Sequence, residues 1–345
     1  MSVVTNILIT LATQALFTIH AQECPLSRAD VEPRNHVFFV DNVLMRRAVV
    51  PSGSHLQLAC RNNIVTDHVC QNGVLNPPLP ATGCADRLRP EIVSGQAPDC
   101  MAPAELHSVR FVLYGQFTEL YRACYDASKV QAKYVEHSVY SNSFTTNRPD
   151  ASFTLDGVIN GAQASTFDTK QVYNRFVELL GVSQGYVEGP SDVVINRGHL
   201  APSADFLFIE NKRATFKFIN VMPQFARLNN GNWKKIEAWV QRLNTNPVTV
   251  RTGAIGVLQL PHSDDPTKLV PMYLGANQAN PIPMWTYKVV NNVAFLTYNN
   301  PFATDLPGPL PCPEVNCPAI GLEADFRLGY TFCCTVNSLN TVVNG

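Results

Sequence analysis

Ten cysteines are the feature that most limits what this chain of 345 residues can fold into. An even number of cysteines behind a secretory leader predicts disulfides that form in an oxidising compartment, and the spacing leaves their connectivity open. Zinc is the competing interpretation, and it is disfavoured because no CxxC pair occurs and no histidine follows Cys312. The cysteines are Cys24, Cys60, Cys70, Cys84, Cys100, Cys124, Cys312, Cys317, Cys333 and Cys334.

The N-terminal stretch MSVVTNILITLATQALFTIHAQEC has no charged residue before Glu23 and is apolar ahead of Ala21. We interpret residues 1–21 as a signal peptide that is cleaved between Ala21 and Gln22, which predicts a secreted, extracellular protein. The stretch lacks the usual Lys or Arg near its start, so an N-terminal membrane anchor is the alternative. No later segment has 18 uninterrupted apolar residues, and no stable membrane association is expected of the mature chain.

The formal net charge of the chain is -1, which excludes a polybasic nucleic-acid binder. Charge is unevenly spread, because residues 191–251 hold nine Lys or Arg against four Asp or Glu, a local net charge of +5. A basic face on a nearly neutral protein suits an anionic ligand that must be released again. A solvated helix face is the competing interpretation of the same charges.

The sequence divides into two parts with different patterns. Residues 22–100 hold five cysteines, turn signals such as PSGS and short apolar alternations such as HLQLAC, which predict a small Cys-rich β module. Residues 101–345 have longer elements: SVRFVLYGQF, TELYRACYD, KYVEHSVYS and the buried run ATFKFINVMPQ are typical of strands, and TKQVYNRFVELLG of a helix that ends at Gly181. The expected fold class is α+β, with an antiparallel-leaning sheet and few helices.

A second helix is predicted over LNNGNWKKIEAWVQRL, residues 228–243, with Asn232 as its N-cap. Its apolar stripe is formed by Trp233, Ile236, Val240 and Leu243. Glu237 lies beside that stripe, and Asn229 lies in a loop just before the helix. Asn and Glu offer hard oxygen atoms that suit Mg²⁺, whereas capping and a surface salt bridge are their ordinary structural roles.

The run INRGHLAPSADF, residues 195–206, predicts a loop that carries His199. Histidine titrates near neutral pH and can take a proton from water. The adjacent Arg197 offers a planar fork of donors for a phosphate, and Gly198 permits close backbone approach. A lone histidine in a loop is more often structural, so the argument depends on the blocks that follow it.

Three linked blocks appear in order: RGHLAP at 197–202, INVMPQ at 219–224 and LNNGNWKKIE at 228–237. In these blocks the chain resembles the DNA/RNA non-specific endonucleases of the ββα-metal, or His-Me finger, class. It is most similar to the secreted double-stranded-RNA nucleases and duplex-specific nucleases of arthropods. The resemblance covers the chain from about Leu106 onwards and implies a ββα-metal core flanked by helices, behind the small disulfide-rich β module.

The resemblance also implies roles for individual residues. His199 would be the general base that activates the attacking water, and Asn229 the direct protein ligand of Mg²⁺ (or Mn²⁺). Glu237 would orient the hydrated ion. Arg197 would support the site and the phosphate.

The family's upstream arginine, which stabilises charge on the reacting phosphate, matches Arg148, with Arg175 as a rival. Asn220 and Gln224 would shape the site from below and contact phosphate.

Two positions depart from the family pattern. Asn196 stands where many members carry Asp, and Gln241 stands where many members place an arginine, with Arg242 one residue further on. The resemblance implies a secreted, Mg²⁺-dependent endonuclease that hydrolyses RNA and DNA without sequence specificity, favours duplexes and leaves 5′-phosphates. The alternative is a weakened nuclease scaffold that binds nucleic acid without cutting it. The sequence leaves the oligomeric state unknown.

Overall fold

The computed structural model describes residues 22–61, 65–243 and 247–344. The predicted signal peptide, residues 1–21, lies outside the described residues. Within the described ranges, no helix is long and apolar enough to cross a membrane.

The N-terminal module is a small β structure around one short helix. The elements are β1 Cys24–Pro25, α1 Arg28–Val31, β2 Val37–Val40, β3 Val43–Leu44, β4 Val49–Val50, β5 His55–Ala59, β6 Val65–Gln71 and β7 Val74–Asn76. Strand β1 pairs with β4, and a separate antiparallel sheet has the order β3-β2-β5-β6-β7.

Strand β2 packs into two cores at once, because successive side chains of a strand point to opposite faces. Val37 and Phe39 belong to the large core of the protein. Phe38 faces the other way and stacks on Phe208, with ring centroids 4.8 Å apart. The module is therefore packed directly against the segment that follows His199.

The rest of the described chain consists of strands, which pair with one another in antiparallel fashion, and of a few helices. These strands are β8 Glu91–Gly95, β9 Glu105–Leu113, β10 Gln116–Asp126, β11 Gln131–Val139, β12 Ile195–His199, β13 Val221–Phe225, β14 Val248–Val257, β15 Gln259–Pro261, β16 Leu269–Pro271, β17 Pro283–Val290, β18 Val293–Tyr298 and β19 Thr331–Thr335. The helices are α2 Gly161–Ser165, α3 Thr169–Leu180, α4 Ile209–Arg213, α5 Ala226–Asn230, α6 Asn232–Val240 and α7 Val336–Asn344.

An eight-stranded antiparallel sheet, in the order β19-β18-β17-β14-β11-β10-β9-β8, is the centre of the fold. With the few helices around it, this sheet confirms the predicted α+β class. Strand β8 belongs to the sheet although it lies within the 22–100 segment. The division into residues 22–100 and 101–345 stays a prediction.

All ten cysteines are paired, which confirms the predicted disulfide framework. His36 lies close to Cys60 and Cys84, but the bond between those two cysteines leaves no thiolate to bind a metal. The pairs are Cys24–Cys70, Cys60–Cys84, Cys100–Cys124, Cys312–Cys334 and Cys317–Cys333.

The two predicted helices form with the expected faces. Helix α3 buries Val172, Phe176 and Leu180, and it ends at Gly181, whose φ of 94° favours glycine. The second predicted helix is split by Gly231 into α5 and α6, and α6 buries Trp233, Ile236 and Val240. Apolar periodicity thus identified the buried faces, while the break at Gly231 was not predicted.

Two expectations about the secondary structure of residues 195–225 were wrong. The run around His199 is not a loop, because Ile195–His199 forms β12 and pairs with β13. The predicted buried strand over ATFKFINVMPQ begins only at Val221, after a 3₁₀ turn at Phe218–Asn220. The hairpin β12–β13, followed by α5 and α6, is the ββα arrangement that the resemblance implied.

Candidate active site

The hairpin β12–β13 sorts the residues of the RGH run onto two faces. Arg197 and His199 are two positions apart and share one face, whereas Asn196 and Gly198 point to the other. On that second face Gln224 pairs with Asn196. A Cβ on Gly198 would lie 2.6 Å from Gln224 Oε1, so glycine is required there by close packing.

His199 lies between two aromatic rings. Its ring centroid is 5.1 Å from that of Phe153 and 5.1 Å from that of Phe216. Nε2 is enclosed and has no hydrogen-bond partner among the described residues, so Nδ1 is the ring nitrogen left accessible to water. Burial, together with the positive charge of Arg148, lowers the pKa of His199 to about 3. The imidazole is therefore neutral at neutral pH, the form in which one ring nitrogen carries a free lone pair.

Arg148 lies next to His199 in space, although a long segment separates the two in sequence. Its guanidinium is exposed and stands 5.0 Å from the centroid of Phe216, the same ring that packs on His199. It forms no ion pair with any described carboxylate, so its donors are available. The rival Arg175 is instead engaged by the Tyr273 and Gly275 carbonyls and by Glu178.

Arg197 is enclosed by three phenylalanines on the face that it shares with His199. Its guanidinium carbon lies 5.6 to 5.8 Å from the ring centroids of Phe153, Phe167 and Phe218. One terminal nitrogen contacts Asp168 at 3.2 Å. This contact leaves part of the donor fork free, which fits the predicted support of the site.

Asn220 is fully buried and fastens the turn after His199. Its Oδ1 accepts from Ala201 N at 2.8 Å, and its Nδ2 donates to the Ala201 and Thr215 carbonyls at 3.0 and 2.9 Å. Both amide protons are used, so a shaping role fits and contact with phosphate does not. Gln224 is fully buried too, and its side-chain oxygen and nitrogen have no partner within the described ranges.

The predicted metal ligands lie on α5 and α6. Asn229 lies in α5 rather than in a loop, is partly exposed, and has no side-chain hydrogen bond to the described chain. The expectation that Asn232 caps the helix was wrong: Asn232 is buried and bonds Glu323 and Gly329 in the C-terminal loop. Gly231 precedes α6 and supplies no side-chain cap.

Glu237 projects from α6 into a partly buried, charged environment. Burial raises its pKa to about 7, Lys288 opposes this shift, and the nearby Asp205 adds to it. Lys288 is buried, lies 5.1 Å from the centre of the Trp233 ring, and donates to Thr252 Oγ1 at 2.7 Å.

The side chains of Asn229 and Glu237 have the chemistry that a divalent cation requires. An unpaired amide oxygen on Asn229 and a carboxylate on Glu237 are hard ligands. A cation near Glu237 would also stabilise the ionised carboxylate that burial disfavours. Asn229 would hold the metal directly, and Glu237 would orient the hydrated ion.

A buried polar network beneath the site was missed by sequence reasoning. Asp205 accepts from Gln241 Nε2 at 3.0 Å, and its other oxygen lies 2.7 Å from His137 Nε2 on the central sheet. The three residues tie α6, the turn after His199 and β11 together. A carboxylate six residues after His199 was the available signal, but its partners are distant in sequence.

Residues 103–344 match the family model described as DNA/RNA non-specific endonuclease. A salivary endonuclease of Lutzomyia longipalpis is 27% identical over 255 residues, which cover 68% of this chain and 60% of that protein. The salivary protein Tsal1 of Glossina morsitans morsitans is 25% identical over 245 residues, covering 65% of this chain and 59% of that protein.

The chain thus spans about three fifths of the length of these relatives. Among solved structures, an EndoG/EndoGI complex aligns with a TM-score of 0.37 and 22% identity, covering 54% of this chain and 74% of that one. The family model covers most of the chain, including the β12–β13 hairpin, α5 and α6. The chain therefore belongs to the DNA/RNA non-specific endonuclease family.

Proposed function

We propose that this protein is a secreted, Mg²⁺-dependent endonuclease that hydrolyses phosphodiester bonds of RNA and DNA without sequence specificity. One arrangement carries the proposal: a neutral His199 with an accessible Nδ1 stands beside the unpaired guanidinium of Arg148, and both pack on Phe216. A base and a phosphate-binding cation in one place are what attack of water on a phosphodiester requires.

In this mechanism Nδ1 of His199 takes the proton from the attacking water. Arg148 binds the phosphate oxygens on which negative charge develops, and Arg197 supports them from the same face of β12. A divalent cation held by Asn229 and Glu237 supplies further charge neutralisation and Lewis-acid chemistry when bound. By family analogy, cleavage leaves the 5′-phosphate.

Contacts of this kind are made to the nucleic-acid backbone, which carries no sequence information. They account for activity on both RNA and DNA, and they predict a strong loss of affinity as salt increases. We further propose a preference for duplexes by family analogy. The basic segment 191–251 is not one free surface, because Lys212 and Lys217 are buried. The five disulfides support the proposed secretion, because such bonds persist in oxidising compartments.

The test uses the purified secreted protein on duplex RNA, duplex DNA and single strands, each with Mg²⁺, with Mn²⁺ or with EDTA. We expect metal-dependent cleavage that His199→Ala abolishes while binding at low salt is retained. His55→Ala is the matched control, because His55 is an exposed histidine of the N-terminal module.

Two other results would decide against the proposal. If His199→Ala cleaves as well as wild type, another group is the base. If the wild-type protein slows the nucleic acid on a gel but yields no cleavage product with either metal, the protein is instead a scaffold that binds nucleic acid without cutting it. End-labelling of the products checks the 5′-phosphate.

A further inference from the structure

The N-terminal module contacts Asn147, the residue that directly precedes Arg148. Glu32 Oε1 accepts a hydrogen bond from the backbone N of Asn147 at 2.7 Å. Arg28 Nη2 donates to Asn147 Oδ1 at 2.9 Å. The module therefore holds both the main chain and the side chain of the residue before Arg148.

The two module residues are themselves held in a fixed geometry. Arg28 donates to both carboxylate oxygens of Glu32, at 2.8 and 3.0 Å, from Nε and Nη2. Arg28 is the first residue of α1 and Glu32 directly follows its last, Val31, which is fully buried in a small core together with Phe38 and Phe208. That core also contains Cys24 and Cys70, which form a disulfide.

The rest of the segment is anchored from the nuclease side. Thr146 Oγ1 donates to Leu207 O at 2.5 Å, and Lys212 Nζ donates to Thr146 O at 2.6 Å. Arg213 Nη1 donates to Asp150 O at 2.5 Å. Asn147 lies between the anchored Thr146 and Arg148, and the module holds it.

We propose that the disulfide-stapled N-terminal module orients Arg148 for catalysis, with Glu32 and Arg28 as positioning residues that act through Asn147. The inference rests on the proposed function, because it takes Arg148 as the cation that binds the reacting phosphate. Arg148 has no described hydrogen bond or ion pair of its own, so its backbone and the Phe216 ring set its direction.

The contact of Arg28 and Glu32 with Asn147 is expected to position Arg148 more than to stabilise the fold. The side chains of Arg28 and Glu32 are 50% and 24% exposed, and ion pairs at that exposure contribute little to the free energy of unfolding. A displacement of about 1 Å at a catalytic group can cost about a hundredfold in rate. Loss of Glu32 should therefore reduce turnover much more than it reduces folding stability.

The test is a double-mutant cycle on the full-length protein, with kcat and KM measured on a duplex substrate in Mg²⁺. We expect Glu32→Ala to lower kcat about tenfold with an unchanged thermal midpoint. The same substitution in an Arg148→Ala background should cause no further loss, because the two residues act as one unit. Glu32→Gln keeps an acceptor for Asn147 N and should restore part of kcat.

Asp67→Ala is the matched control, because it removes an exposed module carboxylate that pairs with the exposed His55; it should leave kcat unchanged. The inference is overturned if Glu32→Ala cleaves like wild type while Arg148→Ala is impaired. It is also overturned if the loss of kcat in the double variant equals the product of the losses in the two single variants. It is also overturned if Arg148→Ala keeps full activity. Failure of the proposed function itself is distinct, since it appears as an active His199→Ala.

Discussion

Gln241 Nε2 donates a hydrogen bond to Asp205 Oδ1 at 3.0 Å, and this bond ties the end of α6 to the turn after His199. Gln241 stands where the family resemblance led us to expect an arginine. In this chain the position has a structural partner, a buried carboxylate that also contacts His137. Glutamine in place of the expected arginine thus has a hydrogen-bonding role in this fold.

We expect Gln241→Ala to lower the free energy of unfolding by about 1 to 3 kcal/mol, because a buried carboxylate loses a donor. Urea unfolding of the variant and of the wild-type protein measures this difference in the free energy of unfolding. Gln259→Ala is the control, since Gln259 is exposed and has no side-chain hydrogen bond to the described chain. An unchanged midpoint in Gln241→Ala would show that the bond contributes nothing.

Gly198→Ala should disturb the hairpin directly beside His199. The added Cβ would lie 2.6 Å from Gln224 Oε1 and 2.9 Å from Gln224 Cβ, and Gln224 is fully buried. Overpacking of this kind costs about 1 to 3 kcal/mol, and we expect kcat to fall as well. Gly189→Ala is the matched control, because its Cβ would meet nothing within 4 Å. Equal behaviour of the two variants would contradict the packing argument.

Asn220→Ala should destabilise the turn that follows His199. It removes three hydrogen bonds and leaves Ala201 N and Ala201 O without these partners, whereas Thr215 O keeps its bond from Lys217 N. We expect a loss of about 2 to 4 kcal/mol in unfolding free energy, with weaker cleavage because the turn positions His199. Asn230→Ala removes one exposed bond to Ala226 O and serves as the control. Similar losses in both variants would refute the special role of Asn220.

The depressed pKa of His199 predicts a pH dependence of stability. Its unfolded pKa is about 6.5 and its folded pKa is about 3, so only the unfolded chain takes up this proton between those values. The stabilisation from the buried neutral ring is therefore fully present above about pH 6.5 and is lost as pH falls towards 3. His199→Asn should weaken this acid destabilisation, by up to about 1.4 kcal/mol per pH unit.

Unfolding free energies of wild type and His199→Asn between pH 4 and pH 7 test this expectation. The comparison isolates His199 because His36, His107 and His137, whose pKa values burial also lowers, are present in both proteins. Parallel curves would show that His199 titrates normally in the folded state.

The sequence by itself determined the features that depend on local order. The apolar stripes placed the buried faces of α3 and α6, because helical periodicity is a property of neighbouring residues. The cysteine count predicted disulfides, and the three linked blocks predicted the family and the ββα hairpin with its helix. These signals require no knowledge of distant contacts.

Only the tertiary structure decided which distant residues meet. The pairing of the cysteines, the contact of Gln241 with Asp205 and the burial of Asn232 under the C-terminal loop all depend on packing between segments far apart in sequence. Arg148 comes to His199 because both pack on Phe216, which no spacing along the chain indicates. For the same reason the hydrogen bond from Asn147 N to Glu32 was not predicted, since a contact between residues far apart in sequence has no periodic signature.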